Sequence, residues 1–223
     1  MKKYQTMTEL ATQVIRESII KGAYSPGTRL KPNELEKDLD LGRVSIREAL
    51  KELVGTGLVQ SIPNKGMQVA MPPSFEEIAA VYESRCVLEG SLAFHAALHV
   101  TPTIIEKLEV IYQEIESKNS MDRDRFLLNR EFHLALYESS GWHFSCQIVS
   151  QMLDQVLSFY AFYTKDIEIN IDFRAFNKEH FEIIEALKDK NPNKVQNITV
   201  ANINRGYAFL ETVSKKLDQA AGY

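Results

Sequence analysis

The sequence is most informative at first for what it lacks. It holds two cysteines, Cys86 and Cys146, with no CxxC pair, so a thiolate metal cluster or a disulfide scaffold is excluded and both read as buried thiols. No apolar run approaches the roughly 20 residues that a bilayer span requires. The opening "MKKYQTMTEL" carries two lysines with no apolar stretch behind them, so no secretory signal is read and a cytoplasmic location is expected. HExxH is missing, as are a glycine-rich phosphate loop and an activated nucleophile. Beyond residue 71 no period-two alternation marks a strand, and the chain contains no repeat and no low-complexity tract.

What is present is an ordinary globular composition, 44% hydrophobic and 25% charged over 223 residues, with a net charge of −4. That mean hides an asymmetry. Residues 1–71 carry seven Lys and four Arg against eight Asp and Glu, a net +3, and the rest of the chain carries −7. A basic first part joined to an acidic second points to a polyanion partner for the first alone.

Periodicity divides the chain at the same place. A first helix is predicted over 8–21, capped by Thr8 and stopped by Gly22. Pro26-Gly27 turns the chain, and Pro32-Asn33 opens a short second helix that buries Leu35 and Leu39. A third helix follows Gly42, with Ile46, Ala49, Leu50 and Leu53 at i, i+3, i+4 and i+7 as its core stripe. Arg43, Val44, Arg47 and Lys51 fall opposite or beside that stripe. "LVQSI" and "MQVAM", joined by Pro63-Asn64-Lys65-Gly66, read as a hairpin with a basic turn. Three helices and a hairpin in about seventy residues make a winged helix-turn-helix, expected as a domain over 1–71. "PPS" at 72–74 is the linker. From 75 to 223 only helical periods occur, over 75–100, 102–119, 122–140, 143–164, 173–189 and 193–217. The fold class expected is therefore mainly α, a winged helix-turn-helix followed by an all-α bundle of six, or seven, helices.

In such a domain the exposed start of the recognition helix enters the major groove. Arginine there supplies charge to phosphates and can bond guanine O6 and N7 bidentately. Arg43 and Arg47, four apart, project together; Lys51 extends the face toward the backbone, and Val44 and Ser45 can reach base edges.

The pieces "IIKGAYSPGTRL", "ELEKDLDLGRVSIREAL" and "LVGTGLVQSIPNKGMQV" resemble the DNA-binding domain of the GntR family of bacterial transcription regulators. The resemblance spans 8–70 at correct spacing. It implies that Arg43 and Arg47 contact DNA and that Lys65-Gly66 forms the wing tip in the minor groove. Two positions depart from the family pattern: Gly42 replaces the usual Ser or Thr at the helix cap, and Asn33 stands where many members carry a further arginine.

The second region resembles the all-helical FCD effector domain of the FadR-type branch, through "YESRCVLEGSLAFHAAL", "NREFHLALYESSG" and "NKEHFEIIEALKDKNP". In metal-binding members an Asp and three His converge; the matching positions here are Asn129, His133, His180 and Asn202. The i, i+4 spacing sets Asn129 and His133 on one helical face. Two neutral amides make a poorer set for a divalent transition metal (Zn, Ni or Mn) than carboxylate and imidazole. Three readings stay open: a degenerate metal site on His133 and His180, a metal-free pocket in which both histidines bond an organic effector, and satisfied core histidines. Arg85 is the handle for an acidic ligand, with Tyr160, Tyr163 and Arg174 as further liners. His95 and His99 are also four apart, but no carboxylate or thiol completes a set.

The function this implies is a homodimeric, effector-responsive transcription regulator, repressor-like, whose grip on double-stranded operator DNA changes with a small molecule in the bundle. The rivals are a metal-dependent enzyme using His133 and His180, and a winged helix that binds protein. The second would want an acidic or apolar recognition helix.

Overall fold

The computed structural model describes residues 6–118, 123–165 and 174–221. Its first part contains α1 (Met7–Ile20), α2 (Pro32–Leu39), α3 (Arg43–Gly55), β1 (Val59–Ile62) and β2 (Gly66–Val69). Thr6, not Thr8, caps α1. Its hydroxyl accepts from the Glu9 amide at 3.1 Å, and the Glu9 carboxylate accepts from the Thr6 amide at 2.7 Å. That reciprocal box fixes the start two residues early; Thr8 lies inside the helix, its carbonyl accepting from the Thr12 hydroxyl. Proline at the start of α2 fits where no amide is needed, and Asp40 ends the helix in the left-handed region (φ 52°).

The α3 stripe is buried as its spacing requires, with Ile46, Ala49, Leu50 and Leu53 all at 1% exposure or less. They pack with Ala11, Ile15, Leu30, Leu35, Leu58 and Val69 in one apolar core. The hairpin pairs Val59 with Val69 and Ile62 with Gly66. Its turn takes positive φ at Asn64 and Gly66 (61° and 84°), which asparagine and glycine tolerate best. A third, unexpected strand-like segment flanks it: Arg29 bridges Gln68, the Leu30 amide donates to the Met67 carbonyl, and the Val69 amide to the Thr28 carbonyl.

The second part is helical throughout its described residues: α4 (Phe75–His99), α5 (Pro102–Ser117), α6 (Arg123–Glu138), α7 (His143–Tyr163), α8 (Arg174–Lys188) and α9 (Pro192–Ala221). Expected ends at Asn119, Asp122 and Phe173 lie outside the described residues. The last helix runs four residues past the expected Leu217. Ser74 and Glu77 form a second capping box, starting α4 directly after the Pro72-Pro73 break. α4 packs along α9, and Gly206 permits that approach: a Cβ there would lie 3.0 Å from the Tyr82 ring. Leu92, Leu108, Phe132, Val149, Ile183 and Val195 centre one core of the bundle; Ile78, Phe159, Ile203 and Val213 centre another. No helix among the described residues is long and apolar enough to cross a membrane.

Candidate functional site

The exposed face of α3 carries the basic residues that its spacing placed opposite the core. Arg43, Val44, Arg47 and Lys51 are exposed and Ser45 is half-buried. Val44 is 77% exposed, a large apolar side chain left in water at the start of the helix. Arg43 holds Glu36 through Nε and Nη2, at 3.0 and 2.8 Å, and Lys51 holds Glu48 at 2.8 Å. Both pairs are open to solvent and stabilise little, so phosphates can displace them. Arg47 has no partner among the described residues. Gly42 gives α3 no side-chain cap, leaving its first amides unpartnered by any cap side chain.

A groove separates α3 from the wing, with Arg47 and Lys51 on one wall and Lys65 and Gly66 on the other. Arg29 and Lys31 complete its basic lining. Sequence reading missed these two, because a single bridging residue after a turn has no period to detect. Arg29 also positions the wing: its Nε donates to the Lys65 carbonyl at 2.6 Å.

Inside the bundle, a cavity opens among helices α4 to α9. Its volume of about 80 Å³ is several times the 10–15 Å³ that one water needs. Leu153, Val156, Leu157, Phe126, Tyr160 and Phe209 make most of its wall. Polar side chains reach it at a few points: Arg85, Arg125, Asn129, Arg130, His180 and Asn202. Tyr160 donates to the Gly206 carbonyl at 3.0 Å and pairs with the Tyr82 hydroxyl, so that edge is satisfied internally.

The four positions singled out from the sequence come together, with different roles. His133 does not line the cavity. It sits wholly buried behind it, Nδ1 against the Tyr137 hydroxyl and Nε2 against Asn202 Oδ1, both at 3.1 Å. The row continues both ways. Tyr137 donates to Glu89 at 2.7 Å, and Glu89 accepts from Arg85 at 2.5 Å. On the other side Asn202 donates to Glu179 at 3.0 Å, and Glu179 accepts from Arg205. Burial, with the nearby Arg85 guanidinium, pushes His133 down to about 3, so near pH 7 its neutral ring has one N–H for two neighbours that can only accept, the Tyr137 hydroxyl and the Asn202 carbonyl oxygen. Burial also works against the Arg85 cation, but the Glu89 carboxylate outweighs it and its pKa is raised on balance. Arg85 therefore reaches the cavity already paired.

His180 is the exception. It is 1% exposed and neither ring nitrogen has a hydrogen-bond partner among the described residues. Its ring packs on Phe132 with centroids 4.5 Å apart. Burial drives its pKa well below the ordinary histidine value, with His133 and Arg125 adding to the effect. A buried imidazole with an idle donor and an idle acceptor is destabilising by about 1–3 kcal/mol unless something bonds it. Asn129, half-buried nearby, has no hydrogen-bond partner for its amide among the described residues. Of the other liners considered, Tyr160 is on the wall, whereas Tyr163 packs on Phe75 and Phe159 and Arg174 is exposed.

A divalent transition metal does not fit this set as it stands. The positions for a carboxylate and for a third imidazole hold the neutral amides of Asn129 and Asn202, weaker donors that add no negative charge to the two histidines. Among the described residues no three His, Cys, Asp or Glu side chains cluster as ligands. His95 stacks on Trp142 at 4.2 Å and His99 is exposed at the end of α4.

Known proteins match both parts. Residues 8–69 match the model of "Bacterial regulatory proteins, gntR family", and residues 80–205 match that of the FCD domain. Over 204 residues the chain is 24% identical to YdhC of Bacillus subtilis (strain 168), an uncharacterized HTH-type transcriptional regulator, covering 89% of this chain and 88% of YdhC. It is likewise 24% identical over 229 residues to the HTH-type transcriptional repressor NanR of Salmonella newport (strain SL254), covering 94% and 87%. Among solved structures, E. coli McbR/YncC shares the fold with a TM-score of 0.77 at 20% identity, over 93% of this chain and 98% of the other. A putative GntR transcriptional regulator from Rhodococcus sp. RHA1 gives 0.70 at 19%, over 92% and 97%. These relatives are regulators, not enzymes, and the reading of a metal-dependent enzyme has no support among them. The chain belongs to the GntR family of bacterial regulatory proteins, a DNA-binding transcription regulator whose helical bundle is an FCD domain.

Proposed function

We propose that the chain is a homodimeric repressor, residues 1–71 reading double-stranded operator DNA and residues 75–223 binding a small organic acid that releases it. Arg43, Val44, Ser45, Arg47 and Lys51 face the major groove, and Lys65-Gly66 the minor groove, with Arg29 and Lys31 adding phosphate contacts. The observation that carries the reading is Arg47, exposed and unpartnered on the recognition helix beside a basic wing. Two modules on two half-sites double the base contacts that one supplies. Repression is supported by the likeness to NanR, which is named a repressor. The cytoplasm, where the DNA is, is the expected location.

His180, with Asn129, gives the ligand its hydrogen-bonding anchor, because both line the cavity and neither has a hydrogen-bond partner among the described residues. His133 and Asn202 hold that anchor in place from behind. The metal-free pocket is thus favoured over a metal site on His133 and His180.

Genome-wide mapping of bound sites supplies the operator, and fluorescence anisotropy on the recovered duplex supplies the test. Arg47→Ala is expected to weaken binding by about 1–3 kcal/mol and, if Arg47 holds a phosphate, to flatten the salt dependence by about one ion. Unchanged affinity and salt slope in a folded Arg47→Ala protein would refute the reading.

A further inference from the structure

One junction joins the cavity to the DNA-binding part, and its charges do not balance. Asp154, on α7, has no exposure and accepts from two arginines. Arg130 of α6 donates to it through Nε at 2.7 Å; Arg16 of α1 donates from the other side through Nε at 3.0 Å. Two guanidinium groups, 15% and 18% exposed, thus share one carboxylate, leaving one positive charge in excess. Glu131, next in sequence to Arg130, is solvent-exposed and makes no hydrogen bond with it among the described residues, acting on it only through space. Arg130 also lines the cavity. Its Nη2 donates to the Ser150 hydroxyl at 2.6 Å, and its Nη1 has no partner among the described residues.

We infer that Arg130 receives the carboxylate of an otherwise apolar ligand, and that Asp154 passes this occupancy to the DNA-binding domain through Arg16. This rests on the cavity being the effector site. The ligand class follows from the wall. A largely hydrocarbon surface accepts a hydrocarbon body, and the charge in excess at Asp154 lets Arg130 accept one carboxylate. A guanidinium fork is the donor best matched to that group. Arg85 is less suited, since Glu89 already neutralises it.

The consequence for DNA binding follows from charge. A carboxylate on Nη1 draws Arg130 toward the cavity and leaves Asp154 to Arg16 alone. A three-member bridge with two repelling cations becomes two separate pairs, and α1 is held more tightly to α7. The next residue carries the change to the recognition helix. Gln155 donates to the Thr56 carbonyl, at the end of α3, at 2.6 Å. Gly57 lies so close that a Cβ there would sit 2.6 Å from the same amide. A shift of α7 at Asp154 and Gln155 therefore reaches both α1 and the end of α3 by direct contacts, which is how ligand and operator would bias one another.

The test uses the full chain with benzoate and hexanoate as probes, each set against its neutral amide. Thermal unfolding should show both carboxylates raising Tm, with affinity at least tenfold above the amides. Arg130→Gln should abolish that preference, and Arg130→Lys should restore part of it by keeping the charge without the fork. Arg16→Gln, which leaves Arg130 paired one-to-one with Asp154, should bind the carboxylate probes more weakly than wild type and, at saturating probe, lose the carboxylate-induced change in operator affinity. Equal effects of acid and amide, no effect of either acid, or a preference surviving Arg130→Gln would overturn the ligand assignment. If Arg130→Gln fails to fold, wild-type preference retained in full by Arg130→Lys would do the same. A full operator response in Arg16→Gln would overturn the relay. Operator binding by the wild type without probe is read separately. Its absence would sink the regulator reading, whereas its presence without carboxylate preference would sink this inference alone.

Discussion

The two parts of this chain spend their charged residues in opposite ways. In the DNA-binding part Thr12 is the lone buried polar side chain among the described residues, and Arg43, Arg47, Lys51 and Lys65 stand in water. In the bundle, Arg85, Glu89, Arg125, His133, Asp154, Glu179, His180 and Asn202 are all buried. The difference follows from the partners. A polyanion is met at the surface by exchanging water and loose ion pairs for phosphates, so its reader keeps an apolar core and a hydrated face. A small molecule is recognised by being enclosed, so its reader must hold polar groups inside and bear their desolvation.

That contrast breaks if polar groups inside the bundle are removed without consequence. Glu89→Ala has the largest expected effect, because it strands Arg85 and Tyr137 in the interior. Loss of one member of a buried pair costs about 3–5 kcal/mol, readable by urea unfolding. Acid comes next. His133 and His180 have lowered folded-state pKa values, so the unfolded chain takes up protons more readily. Their contribution is complete above the unfolded value of about 6.5 and is lost as pH falls below it, for His133 down to about 3. From pH 7 to pH 5 His133 should remove about 2 kcal/mol, with His180 acting in the same direction, and urea midpoints at the two pH values, with and without His180→Leu, check this.

His180→Leu sharpens the contrast from the other side. Replacing an unpartnered buried imidazole by a side chain of similar size should raise stability by about 1 kcal/mol at pH 7, while removing the stabilisation that a carboxylate probe gives. A destabilised His180→Leu protein would mean that the ring is satisfied in the folded chain. The smallest expected change is in the first part: Arg47→Ala should leave the unfolding free energy within about 0.5 kcal/mol even as operator binding falls.

How far the sequence was legible differs between the parts for the same reason. The α3 stripe follows from residue spacing alone, and its complement must face solvent, so Arg43, Arg47 and Lys51 are readable as a surface. Arg29 was not, since a strand-like segment held by one bridge and a few amides leaves no periodic pattern. Thr6 was missed in favour of Thr8 because both are threonines near the start of one apolar pattern, and Glu9 decides between them. In the bundle, the helices were legible from their breakers. The partners of His133, the isolation of His180 and the sharing of Asp154 were not, because all but the His133–Tyr137 contact depend on side chains 24 to 138 residues apart or on a neighbour's absence.

By itself, then, the sequence determined the order of elements, the division between a basic reader and an acidic bundle, and the face of α3 left outside its core. Those are consequences of local period and composition, which neighbouring residues settle among themselves. Only the tertiary structure decided that Arg85 arrives neutralised, that His133 stands behind the cavity, that His180 faces it with both nitrogens idle, and that Arg16 and Arg130 meet on one carboxylate. These depend on distance and burial between helices remote in sequence, where a low-dielectric interior turns a position into a pKa, a pairing or an unmet bond.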